Sequence, residues 1–169
     1  MNRSSRDGED HGAQALSPVG AAKPPLTSYR RNLPHLQRDG NTLFVTFNTK
    51  DRRILPASVR SIVMDHSLHD HGVKHSMHAA VVMPDHVHLL FTPHRDANGV
   101  TYGFAEIMRG IKGASARSVN RALGTSGTLW QSESFDRILR SHENARAVAE
   151  YICANPVRAG LVENEDAYP

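Results

Sequence analysis

Two histidines, His86 and His88, lie two residues apart in an otherwise apolar run, Val81-Val82-Met83-Pro84-Asp85-His86-Val87-His88-Leu89-Leu90-Phe91. On a β-strand, residues i and i+2 point to the same face, so the imidazoles project side by side while Val87 and Leu89 face a core. Paired imidazoles on a rigid face are ready ligands for a divalent cation. The rest of such a site must come from elsewhere. Tyr151 and Asn155 are spaced i, i+4, one turn apart on a single helix face. Asn155 offers a carbonyl oxygen to a hard cation, and Tyr151 a phenol able to act as a covalent nucleophile. Each also has a plain structural reading: Tyr151 as a packed amphipathic aromatic, and Asn155 before Pro156 as an ordinary helix end.

Together the four residues suit phosphoryl chemistry. A phosphodiester is anionic and repels nucleophiles, and a divalent ion on a non-bridging oxygen neutralises that charge. A phenol with a pKa of about 10 is close enough in acidity to a sugar hydroxyl for a reversible exchange. Attack would leave a phosphotyrosine on one DNA end and a free hydroxyl on the other.

The elements that would position these groups can be read from periodicity and punctuation. Residues 41–48 alternate Leu43, Val45 and Phe47 against Thr42, Phe44 and Thr46, a first strand. Pro56 to about Asp70 reads as a helix with Val59, Ile62, Val63 and Met64 as its apolar stripe, stopped by Gly72. His75 to Met83 and His86 to Thr92 read as antiparallel strands joined by a turn at Pro84-Asp85. Phe104 to Leu123 reads as a long helix with Phe104, Ile107, Met108, Ile111 and Val119 on its apolar side. Ser134 to Arg140 reads as a fourth strand. A last helix is predicted from a Ser141 cap, with Glu143 in its first turn, to about Ala154, ended by Asn155-Pro156. This order predicts an α+β fold, a ferredoxin-like βαββαβ antiparallel sheet with helices on one face, plus a C-terminal helix carrying Tyr151 near the histidine strand.

The chain has 169 residues, enough for one domain with a proper core and a tail. Residues 1–28 are poor in large apolar side chains and read as a disordered N-terminal tail. The domain is expected over 29–162, entered by a basic stretch with Arg30 and Arg31, and 163–169 as a C-terminal tail. No apolar run approaches the about 20 residues of a membrane span, so no membrane partner is expected. Cys153 is the single cysteine, which excludes an internal disulfide and fits a reducing, cytoplasmic setting. Net charge is +3, a modest excess for a nucleic-acid binder. The 11 histidines include a group at His66, His69, His71, His75 and His78, read as solvated surface around a turn. Trp130 reads as core packing and Cys153 as buried and inert.

These residues carry a family resemblance. His86-Val87-His88 matches the His-hydrophobic-His motif of single-tyrosine DNA endonucleases and transposases, and residues 29–162 resemble the REP-associated tyrosine transposases. The resemblance runs through Leu33-Pro34-His35 with Phe44-Val45-Thr46-Phe47, the central block 82–90, Ile111-Lys112-Gly113, Leu129-Trp130-Gln131 with Phe135-Asp136, and Tyr151-Ile152 followed by Asn155-Pro156-Val157-Arg158-Ala159-Gly160-Leu161-Val162. It implies His86 and His88 as metal ligands, Tyr151 as nucleophile and, more loosely, Asn155 as a further ligand, since relatives often carry Gln there. Asp85 stands where the family frequently has Asn, a departure that could add an acidic group near the ion.

The function expected is a site-specific endonuclease and strand transferase on single-stranded DNA, dependent on Mg²⁺ or Mn²⁺. It would cleave near hairpin-forming palindromic repeats through a 5′-phosphotyrosine, as a monomer or homodimer, in the cytoplasm and on the nucleoid when bound to DNA. Arg137, Arg140 and Arg158 flank the site as candidate phosphate contacts. Arg109 and Lys112 on the long helix, and Arg30 and Arg31 on the N-terminal approach, are further candidates. A non-catalytic nucleic-acid-binding module of the same fold is the alternative, though it would want Phe or Tyr where the histidines stand. A histidine-triad nucleotide hydrolase would need another histidine at the position of Leu90.

Overall fold

The computed structural model describes residues 40–140 and 143–168, all within the second of two units into which the chain divides, residues 35–169. The N-terminal tail, Arg30, Arg31 and the Ser141 cap lie outside the described residues. Strands β1 (Leu43–Asn48), β2 (His75–Val82), β3 (His86–Pro93) and β4 (Phe135–Ile138) alternate with helices α1 (Ala57–Leu68) and α2 (Phe104–Leu123), and α3 (Ala145–Cys153) follows β4. The four-stranded sheet has the order β2-β3-β1-β4, and every neighbouring pair is antiparallel. This is the expected α+β arrangement: α1 crosses over from β1 to β2, leaving room for β3 between them.

Strict alternation along β1 buries Leu43, Val45 and Phe47 on one face, and β3 adds Val87, Leu89 and Phe91. Helices α1 and α2 cover that face with Val59, Val63, Ile107, Met108, Ile111 and Val119. Each such large apolar side chain contributes about 1.5–3 kcal/mol on full burial. Trp130 belongs to this core, edge-on to Phe47 at 4.9 Å. Its indole N–H donates to Ser115 Oγ at 3.1 Å, so the polar end of the ring is satisfied.

The opposite face carries His86 and His88. The β1–β3 register pairs Thr46 with His88 and Asn48 with His86, so these four side chains share a surface. Beside them α3 packs on β2 and β3 through a smaller cluster of Ala79, Val81, Met83, Leu90, Leu139 and Ile152, joined by Ala145, Val148 and Ala149. The positions 145, 148, 149 and 152 form a single helical stripe. The last helix therefore does lie over the histidine strand.

Its start differs from the expectation. Asn144 is the N-cap, its side chain accepting from the Arg146 N–H at 2.9 Å. Glu143 precedes the helix because its carboxylate is taken by Arg137 and by the Arg140 N–H. The other end is as expected: α3 closes at Cys153 with Ala154 as its C-cap, and Asn155 opens a separate single turn, α4 (Asn155–Arg158). Pro156 fits there because the first turn has no partner for its missing N–H. Farther on, Tyr168 donates to the Val82 carbonyl at 2.8 Å and accepts from Arg60 at 2.9 Å, pinning this stretch to β2 and α1.

His75 overturns part of the surface reading. It is 0% exposed, packed 5.3 Å from the Phe91 ring, and neither ring nitrogen meets a partner at full hydrogen-bond geometry. A bulge between Met77 and Ala79 breaks the alternation of β2, which hid its inward face in the sequence. Burial depresses its pKa. His69, His71 and His78 are exposed as expected. Among the described residues no helix is long and apolar enough to cross a membrane.

Candidate functional site

The imidazoles of His86 and His88 meet with their Nε2 atoms 3.1 Å apart. Their Nδ1 atoms are both engaged: that of His86 lies 2.6 Å from Asp85 Oδ1, and that of His88 lies 2.8 Å from Thr46 Oγ1. With the proton on Nδ1, as the Asp85 carboxylate requires of His86 and as the Thr46 hydroxyl, able to donate or accept, allows for His88, both Nε2 lone pairs converge on one point. Cis nitrogens on a single ion, at metal–nitrogen distances of 2.0–2.1 Å, sit about 3 Å apart. The pair therefore fits a divalent cation. His88 is held neutral because burial, and next the neighbouring His86, pull its pKa to about 4. Among the described residues no third His, Cys, Asp or Glu completes a metal-binding group, so remaining ligands would be an amide, water or phosphate oxygens.

Asp85, expected as a possible extra acid near the ion, orients a ligand instead. Its second oxygen pairs with Arg52 Nη2 at 2.8 Å, giving a chain Arg52–Asp85–His86. Such outer partners fix the ring and its tautomer. Arg52 also donates to Asn48 Oδ1 at 2.5 Å. To reach both, Asp51 and Arg52 adopt left-handed backbone, φ 54° and 56°, at about 1–2 kcal/mol each for residues other than glycine. No Gly or Asn marks that turn, so residue order carries no signal for Arg52.

Tyr151 is 52% exposed, and the Arg158 guanidinium lies 4.4 Å over its ring. It borders an apolar cleft of about 380 Å³, opposite Phe44 and beneath Arg137 and Glu143. Phe44 in turn stacks on His88, centroids 5.7 Å apart and planes at 18°. The phenol and the imidazoles thus share a surface with Phe44 between them, and the Tyr151 hydroxyl makes no hydrogen bond to either ring. Asn155 turns its amide nitrogen to the Tyr151 and Ile152 carbonyls, at 3.3 and 3.1 Å, which leaves its Oδ1 as the group it could offer. The structure brings the two histidines together, and Tyr151 is linked to them through Phe44, which lines the cleft with Tyr151 and stacks on His88. Asn155 is engaged with its own helix.

The basic candidates separate. Arg137 lies at the cleft, its Nη1 bonded to both Glu143 oxygens at 2.7 and 2.8 Å and its guanidinium 5.5 Å over Phe44. The Arg140 N–H, followed by Arg137, holds the Glu143 carboxyl below its usual range. Arg140 and Arg158 adjoin the same rim. Lys112 does not serve as a surface cation: it donates to the Gln131 and Ser132 carbonyls at 2.7 and 3.2 Å and to Ser134 Oγ at 3.2 Å, clamping that loop to α2. Burial lowers its pKa. Arg109, also on α2, stands across the sheet from the imidazoles. The site residues that sequence reasoning missed are Phe44, Thr46, Arg52 and Glu143, because cross-strand register and turn geometry recruit them.

A family model described as transposase IS200 like matches residues 48–155. The chain is 27% identical over 135 residues to the REP-associated tyrosine transposase of Escherichia coli (strain K12), covering 77% of this chain and 74% of that protein. Its fold is also similar to the structure of a REP-associated tyrosine transposase bound to a REP hairpin. The TM-score is 0.58 at 26% identity, over 85% of this chain and 81% of the other.

Proposed function

Because this chain belongs to the IS200-like transposases, we propose that it is a metal-dependent endonuclease and strand transferase acting on single-stranded DNA beside hairpin-forming palindromic repeats. The observation that carries this reading is the convergence of two Nε2 atoms at 3.1 Å, each ring fixed from behind. A hairpin partner is supported by the similar protein solved on a REP hairpin.

In this reading His86 and His88 hold the ion, with Asn155 Oδ1 as a further ligand once α3 is repositioned or supplied by a second copy. Mg²⁺ or Mn²⁺ bound there would neutralise a non-bridging phosphate oxygen. Tyr151 forms an Oη–P bond as the bond from phosphorus to the 3′ oxygen breaks. The phenolic proton passes to solvent, and the departing 3′ oxygen takes one up. The product is a 5′-phosphotyrosine and a free 3′ hydroxyl, and the reverse attack reseals a strand with no net loss of phosphoester bonds. Arg158, stacked on the Tyr151 ring, places positive charge where the phosphate arrives.

The test is a labelled single-stranded hairpin carrying unpaired flanks. Wild type is expected to form a covalent protein–DNA adduct with Mg²⁺ or Mn²⁺ and none in excess EDTA, and Tyr151→Phe to form none while still binding. An adduct from Tyr151→Phe would remove Tyr151 as nucleophile. Binding without any adduct from wild type would leave a DNA-binding module.

A further inference from the structure

We infer that the cleft between Phe44 and Tyr151 seats one unpaired nucleobase adjoining the phosphodiester to be cut, an inference that rests on the reading that Tyr151 attacks DNA. Position is the first argument. The cleft lies between the phenol and Phe44, and Phe44 stacks on His88. A strand that reaches from Tyr151 to the imidazole pair passes Phe44, which brings the base next to its phosphate to this cleft.

Chemistry is the second. The floor is aromatic and the helix wall is apolar, supplied by Ala147 and Val148. The Arg137–Glu143 pair lines it too, Nη1 on both carboxylate oxygens, which leaves the other guanidinium N–H groups to meet the edge of a base. Arg137 also covers Phe44 in the DNA-free chain, and a planar guanidinium is itself a stacking surface for a base. The platform is rigid. Phe44 is held edge-to-face by Phe135 at 6.4 Å and 71°. Phe135, 60% exposed, extends the same aromatic surface outward. With Phe44 flanked by His88 and covered by Arg137, a base entering the cleft stacks on the guanidinium, and a base locked in a duplex cannot enter, so the cleft selects unpaired DNA.

The test needs no catalysis. Binding of an oligothymidylate is compared with that of an equally long backbone made wholly of abasic sites, by fluorescence anisotropy in EDTA at fixed salt. Wild type is expected to prefer the base-bearing strand by about tenfold, the size of one aromatic stack. Phe44→Leu keeps an apolar side chain on β1 but drops the ring. Ala147→Trp fills the cleft from an exposed helix position. Both are expected to lose the preference without weakening abasic binding, with melting curves confirming that they fold. Equal binding of both strands by wild type, or a retained preference in either variant, would overturn the inference. Its failure is separable from failure of the enzyme reading. An adduct without base preference removes only the seat, whereas base preference without an adduct removes only the catalysis.

Discussion

Asp85→Ala tests whether the histidine pair is built as a metal cradle. The substitution removes the 2.6 Å acceptor of His86 Nδ1 and the 2.8 Å partner of Arg52. The Arg52 side chain is 56% exposed, so that ion pair contributes at most about 1 kcal/mol, and metal-free stability should fall by a similar small amount. The larger effect is on ligation. Without Asp85, His86 can rotate and can carry its proton on Nε2, where it blocks the ion. Loss of an outer partner of this kind costs about 10–100-fold in metal affinity, or about 1.4–2.8 kcal/mol. Asp85→Asn retains an amide oxygen able to accept from Nδ1 and should lose less. Calorimetric titration of Mn²⁺ into the DNA-free chain should therefore rank wild type above Asp85→Asn above Asp85→Ala, with His86→Ala weakest. Thr46→Val should behave like Asp85→Ala, because it frees His88 in the same way. Undiminished Mn²⁺ binding by Asp85→Ala, alongside its loss in His86→Ala, would refute the view that Asp85 orients the ligand.

Other perturbations follow from groups away from the imidazole pair. His75 has a depressed pKa in the folded chain, so below its ordinary value of about 6.5 the unfolded chain binds the proton first and stability falls as pH falls. His75→Leu should flatten that slope between about pH 7 and pH 5 and be at least as stable at pH 7; equal slopes in urea denaturation would contradict this. Lys112→Met should destabilise by about 1.5–3 kcal/mol, since a charged donor leaves several acceptors, whereas a loss of DNA affinity with unchanged stability would restore Lys112 as a phosphate contact. Ser115→Ala strands the Trp130 N–H and should cost about 1–3 kcal/mol in a tryptophan-fluorescence melt; no change would mean that the indole finds another acceptor.

Much of this could be read from residue order because β1 obeys a strict two-residue period and β3 does so from His86 to Leu89. That period put Leu43, Val45, Phe47, Val87 and Leu89 on one face and left His86 and His88 together on the other. The i, i+4 spacing of Tyr151 and Asn155 brought them close together at the end of the final helix, Tyr151 in α3 and Asn155 at the start of α4. Where the period broke, the reading failed. His75 lies just before a bulge, so its inward face had no signature. Phe44 is a site residue only because β1 lies between β3 and β4, a fact of sheet order. Arg52 depends on left-handed backbone at residues that rarely adopt it, held by tertiary partners. Lys112 has the look of a phosphate contact on any helix, and only the path of the 129–134 loop reveals that its charge is occupied.

The sheet acts as a bulkhead. The larger core, under α1 and α2, lies on one side, and the cleft with its histidines lies on the other. Residues lining the cleft can therefore vary with little penalty to the packing beneath them. Changes at Ala147, exposed on α3, leave the larger core untouched, whereas changes at Phe44 are felt by the smaller cluster that seats α3.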